Sequence, residues 1–114
     1  MAKITFGVLT CVKKDDTFFK DEIEIRLNGN FISGPHKIGK GDDPITIGGT
    51  HDFSVRSVIR LFEVQGDTEK LLGTAEALAA PARREDLIGV FHDQPGTDYH
   101  LTYVLDSTFP EETD

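Results

Sequence analysis

Most of the chain alternates apolar and polar residues with a period of two, the pattern of half-buried β-strands. Ile4, Phe6 and Val8 alternate, and Leu9 and Cys11 continue in the opposite phase. A β-bulge near Gly7 and Val8 accounts for that shift. In DEIEIRLNG, Ile23, Ile25 and Leu27 face one way and Glu22, Glu24 and Arg26 the other. Asn28, Gly29 and Asn30 follow, a hairpin signal because Asn and Gly accept positive φ. Phe31 and Ile32 open a return strand that Ser33, Gly34 and Pro35 are expected to stop. Residues 39–43 (GKGDD) read as a loop, and Ile45 and Ile47 alternate before Gly48 and Gly49. Phe53 and Val55 precede residues 56–64 (RSVIRLFEV), an almost continuous apolar run that suits a central strand. QGDTEK is the next turn. DLIGVFHD and DYHLTYVLD are two further strands, joined by a turn at Gln94 to Gly96, and Tyr99, Leu101, Tyr103 and Leu105 line one face of the second.

The stretch 68–80 fits two periods. Leu71, Leu72, Ala75, Leu78 and Ala79 fall at helical spacing and Asp67 could cap a helix. Gly73, which costs a helix about 1 kcal/mol, favours a strand. The punctuation by Gly, Pro, Asn and Asp thus predicts an all-β antiparallel sandwich of seven to eight strands with at most one short helix. One domain over 1–106 and an acidic, disordered tail over 107–114 are expected.

Composition supports a self-sufficient core. For 114 residues and 12.6 kDa, surface scaling gives roughly 18,000 Å² unfolded and about 6,000 Å² folded. The net charge is 12 − 20 = −8. That excludes the usual nucleic-acid binder, which needs a basic face, and an anionic membrane repels the chain unless bound cations reverse the local sign. Cys11 is the single cysteine, so no intrachain disulfide exists, and its apolar setting reads as a buried small hydrophobe. The first residues lack signal-peptide character and no apolar run approaches ~20 residues, so cytoplasmic residence is the default expectation, with leaderless export the alternative.

No nucleophile elbow, Cys–His signature or Gly-rich phosphate loop appears, which argues against an enzyme and against a small-molecule substrate. His36, His51 and His92 fall in or near turns without zinc-site spacing, and His100 reads as a solvated outer-face residue. The carboxylates are more informative. Calcium takes six to eight hard oxygens from clustered carboxylates on loops. If the segments around Asp16, Asp21, Glu63 and Asp67 project from one end of the sandwich, those four could converge on calcium. Composition alone favours the alternative, acidic loops that keep the protein soluble.

At these residues the chain resembles a known family. DDTFFKDEIEIRLNG followed by IRLFEVQGDTEKLLGTAEAL is similar to the calcium- and phospholipid-binding C2 domain, and the EIRLNG, IRLFE, LLGT and YHLTY elements resemble small single-domain bacterial and fungal proteins of that type. The resemblance implies an eight-stranded sandwich with functional loops at one end. It puts Asp16 and Asp21 at first-loop ligand positions and Glu63, Gln65 and Asp67 around the third. Lys70 stands where the last acidic ligand would be and has no lone pair to offer a cation, so the ligand set is degenerate. The preferred reading is therefore a non-enzymatic binding or structural module, acting through end loops or strand edges on a protein partner or as a homo-oligomer. Calcium-dependent binding to a membrane or partner is the alternative. Phe18 and Phe19, consecutive aromatics in an acidic loop, are the candidate interface residues, and the strand at 4–12 is a candidate for exchange between protomers.

Overall fold

A computed structural model describes residues 2–13, 21–79, 83–94 and 96–106, with the backbone alone at Lys13 and Asp21. Asp16, Phe18, Phe19 and the expected tail at 107–114 lie outside the described residues.

The alternation becomes pairing in nine strands among the described residues: β1 (Ala2–Lys13), β2 (Asp21–Leu27), β3 (Asn30–Ile38), β4 (Ile45–Thr46), β5 (Thr50–Phe53), β6 (Arg56–Gln65), β7 (Thr68–Leu78), β8 (Arg84–Phe91) and β9 (Asp98–Asp106). One sheet runs β4-β1-β9-β8 with β5 also on β1, and the other runs β3-β2-β6-β7. β5 pairs with residues 2–5 of β1 and β4 with Val8 and Leu9. The two short strands share one edge of β1, so the nine fill eight positions. Every pairing is antiparallel.

The inward phase of each strand makes the core. Ile4, Phe6, Leu9, Cys11, Tyr99 and Leu101 of one sheet meet Ile23, Ile25, Ile59, Leu61 and Leu72 of the other, all buried. Each large aliphatic or aromatic side chain so buried contributes roughly 1.5–3 kcal/mol of transfer free energy. Asn28 and Gly29 close the β2–β3 hairpin at φ 50° and 84°, the left-handed pair that a two-residue turn between twisted strands requires. Asn28 Oδ1 accepts the Val58 N–H at 2.8 Å, tying that hairpin to β6.

The expected bulge is present. Phe6 pairs with Tyr103 and Leu9 with Leu101, so Gly7 and Val8 together face Thr102. One expectation is corrected. The return strand does not stop at Ser33: β3 runs on to Ile38, because Gly34 and Pro35 are absorbed as an irregularity between the Ile25–Ser33 and Ile23–His36 pairs of an edge strand. His36 accordingly lies within β3, and His51 lies within the short strand β5. The stretch 68–80, which fits both periods, is strand through Leu78. Its helix-like spacing arises from a bulge: Leu61 pairs with Gly73 and Phe62 with Leu71, leaving Leu72 as an extra residue that shifts the phase by one.

That second bulge also joins the sheets. The Asp93 N–H donates to the Leu72 carbonyl at 2.9 Å and Gln94 Nε2 to the Leu71 carbonyl at 3.0 Å. A Cβ on Gly73 would lie 2.7 Å from Phe91 Cα, so the close approach of β7 and β8 needs glycine there.

Candidate functional site

The end of the sandwich where β1 stops and β2 begins also carries the segments 39–44, 66–67 and 92–97. Register explains this: Asp21 pairs with Ile38 and Ile23 with Glu63, so β2 starts beside the end of β6 and the end of β3. The start of β2 at Asp21 and the 63–67 segment therefore share one end. Asp67 sits exposed in a connection of only two residues, Gly66 and Asp67, between the paired Gln65 and Thr68. Glu63 lies in β6, half-buried, on the inward phase with Ile23 and directly opposite Lys70. Glu69 lies on the outward phase. Strand alternation thus sends these two neighbouring carboxylates to opposite faces.

Two other carboxylates at this end differ: Asp42 is hydrogen-bonded, while Asp98 Oδ1 is buried with no hydrogen-bond partner among the described residues. The Gly39 N–H donates to Asp42 Oδ2 at 2.8 Å, and Asp98 Oδ1 lies 3.2 Å from His100 Nε2. Among the described residues no group of three or more His, Cys, Asp or Glu side chains is arranged to hold a metal ion.

The outer face of the β3-β2-β6-β7 sheet is built around Arg26. Its guanidinium donates to Glu24 and to Glu69, each at 2.6 Å, and stacks 4.0 Å from the centre of the Phe62 ring. The hydrogen bond to Glu69, followed by the interactions with Glu24, holds the Arg26 pKa above its ordinary value against the opposing effect of burial. Arg56 and Glu76 form a further pair at 3.0 Å. These pairs occupy the middle of the face.

The outer face of the other sheet differs. At the first bulge the Val8 N–H donates to Thr102 Oγ1 at 2.9 Å. Gly7 has no side chain, and a Cβ there would collide with that same oxygen. The result is a groove of about 370 Å³ floored by Gly7 and Thr102 and walled by Thr5, Val104, Ile88 and Asp86. Beside it, Ile88 is 55% and Val90 41% exposed on β8, an edge strand. The cations nearby are already paired: Lys3 with Asp52 at 3.2 Å, and Arg83 with Asp106 at 2.8 Å. Asp86 makes no hydrogen bond or ion pair among the described residues and holds φ at +56°, a conformation that side chains other than glycine seldom adopt. Beneath the groove, burial pushes the Tyr103 phenol pKa up, with Arg84 partly opposing.

Sequence reasoning located the bulge but did not connect it with a groove. The available signal was Gly7 at the phase shift, together with apolar residues on both phases of the strand from Leu87 to Phe91.

Comparison with known proteins places this architecture. No protein-family model matches the chain, and no curated protein matches it. Among solved structures, one described as the structure of a C2 domain superposes with a TM-score of 0.62 at 8% identity, covering 93% of this chain and 99% of that one. The C2A and C2B domains of Extended-Synaptotagmin 2 superpose with a TM-score of 0.54 at 15% identity, covering 92% of this chain and 39% of that one. The chain is a C2-like antiparallel β-sandwich, as its strand and turn motifs implied. Among the described residues no helix is long and apolar enough to cross a membrane.

Proposed function

We propose that this chain is a non-enzymatic binding module that associates with a protein partner, or with further copies of itself, through a strand edge. The observation that carries this reading is β8: it ends its sheet and bears Ile88 and Val90 exposed on its outer face. Edge strands keep unpaired backbone groups that template further pairing unless blocked. The bulge between Arg84 and Leu87 bends only the start of β8, leaving its second half regular. The sandwich serves as a rigid mount, and the charged residues of the opposite face keep it solvated. Light scattering across a concentration range, together with pull-down of defined partners, tests the reading. Association that Ile88→Lys abolishes supports it, and a chain that stays monomeric and binds nothing contradicts it.

A calcium-dependent form of binding, to a membrane or a partner, is the second reading. It is favoured by the register that brings Asp21 beside the end of β6. With Asp16, Asp21, Glu63 and Asp67 as ligands, millimolar calcium would raise the melting temperature according to RT ln(1 + [L]/Kd). An unchanged melting curve eliminates it. The two-residue turn that carries Asp67 and the position of Lys70 opposite Glu63 weigh toward the first reading.

A further inference from the structure

We infer that the groove over Gly7 is a docking site for an extended, basic segment of a protein partner: an apolar side chain of that segment fills the groove and a neighbouring Lys or Arg meets Asp86. The inference rests on the reading of this chain as a protein-binding module, and it names the chemistry of the partner.

Three observations lead to it. The first is shape. The bulge removes side-chain volume from the outer face at one place only among the described residues of β1, since Gly7 is bare and Thr102 turns its hydroxyl down to the Val8 N–H. The space of about 370 Å³ is at the low end of ligand-site volumes, ~300–1,000 Å³. It is an open depression across three strands that suits a single inserted side chain.

The second observation is lining. Ile88 and Val104 supply apolar walls, while the Thr102 hydroxyl is bonded to Val8 and the Thr5 hydroxyl to Thr50 at 2.8 Å. Thr102 Oγ1 is the acceptor of the bond from Val8 and keeps its own O–H proton, so the groove offers one hydroxyl donor among mainly apolar walls, and Val90 extends the apolar surface along β8.

The third is charge. Asp86 is the carboxylate on the rim, and the neighbouring Lys3 and Arg83 are held by Asp52 and Asp106. Arg84 pairs in register with Leu105, a core-facing residue, which puts it on the opposite phase from the groove. The chain as a whole carries −8 and steers cations toward itself while repelling a second copy. Spacing is compatible: Gly7 and Asp86 are two strands apart, about 10 Å at ordinary sheet spacing. An extended segment rising ~3.3 Å per residue puts its cation two to four residues from its apolar anchor.

The test pans a phage library of random seven-residue peptides against the full chain. The enriched peptides are then measured by fluorescence anisotropy against the wild type, Asp86→Asn and Ile88→Ser. Asn accepts the same left-handed backbone as Asp, and Ile88 is largely exposed, so both variants are expected to fold; circular dichroism checks this. Expected are sequences pairing a large apolar residue with Lys or Arg two to four positions away, affinity at least tenfold weaker for both variants, and a weakening by salt that is larger for the wild type and Ile88→Ser than for Asp86→Asn. Enriched peptides that are acidic or uncharged, affinities untouched by both variants, or no enrichment at all overturn the inference. If the chain nevertheless associates through β8 in the Ile88→Lys experiment, the binding-module reading stands without it; if that association is also missing, both fall.

Discussion

The two sheets of this sandwich turn different faces to solvent. On the β3-β2-β6-β7 sheet, Arg26 gathers Glu24, Glu69 and the Phe62 ring, and Arg56 takes Glu76. On the other sheet, a bulge opens a groove, Ile88 and Val90 stand exposed, and Asp86 has no partner among the described residues. Both faces alternate in the same way and both carry charge. The difference is where charge meets apolar surface: on one face carboxylates gather around Arg26, and on the other a carboxylate stands beside exposed Ile88. A partner that docked on Arg26 would first have to displace its pairs with Glu24 and Glu69. A lone carboxylate beside exposed apolar area gains from a complementary surface without that cost.

Substitutions that attack each face separately test this contrast. The largest expected effect is from Gly7→Val, which pushes a branched side chain into Thr102 and closes the groove. Urea denaturation should show a loss of roughly 1–3 kcal/mol, and a loss near zero would mean that the bulge rearranges freely and fixes no groove. Next is Arg26→Met on the opposite face. It removes the stacking and both carboxylate bonds, and a loss of about 1 kcal/mol is expected after allowance for solvent screening, with peptide binding unchanged. A change in binding would show that the two faces are not independent.

Tyr103 supplies a pH test of the layer beneath the groove. Its folded-state pKa is raised above 10.0, chiefly by burial. The unfolded chain therefore loses that proton first, so the contribution to stability is intact below about pH 10 and is lost as pH rises through the folded-state pKa. Tyr103→Phe should flatten that part of the pH–stability curve, and an identical decline in the variant would assign it to another group. The smallest stability effect belongs to Asp86→Asn, expected within about 0.5 kcal/mol of wild type. A large loss would make Asp86 a structural residue.

Much of the fold was legible because alternation maps directly onto burial: Ile23, Ile25 and Leu27, and Tyr99, Leu101, Tyr103 and Leu105, are buried as their phase requires. The bulge at Gly7 and the Asn28 and Gly29 hairpin were legible for the same local reasons. The 68–80 stretch was not decided by its own residues. The extra residue at Leu72 makes a strand imitate helical spacing, and the bonds that accommodate it come from Asp93 and Gln94, more than twenty residues away. Likewise, nothing local to Gly34 and Pro35 reveals that an edge strand can carry them. The sharing of one end by Asp21, Glu63 and Asp67 depends on register, which the loop sequences do not encode. Asp86 was overlooked because its significance is the absence of a neighbour, a property of the assembled surface.

Amide chemical-shift mapping on the uniformly labelled chain, with and without a saturating enriched basic peptide, tests the contrast between the faces most directly. Shifts concentrated at residues 5–8, 86–90 and 102–104, with residues 24–26 and 58–62 unmoved, are the predicted result. Shifts centred on the Arg26 face, or confined to residues 39–44 and 66–67, would contradict it.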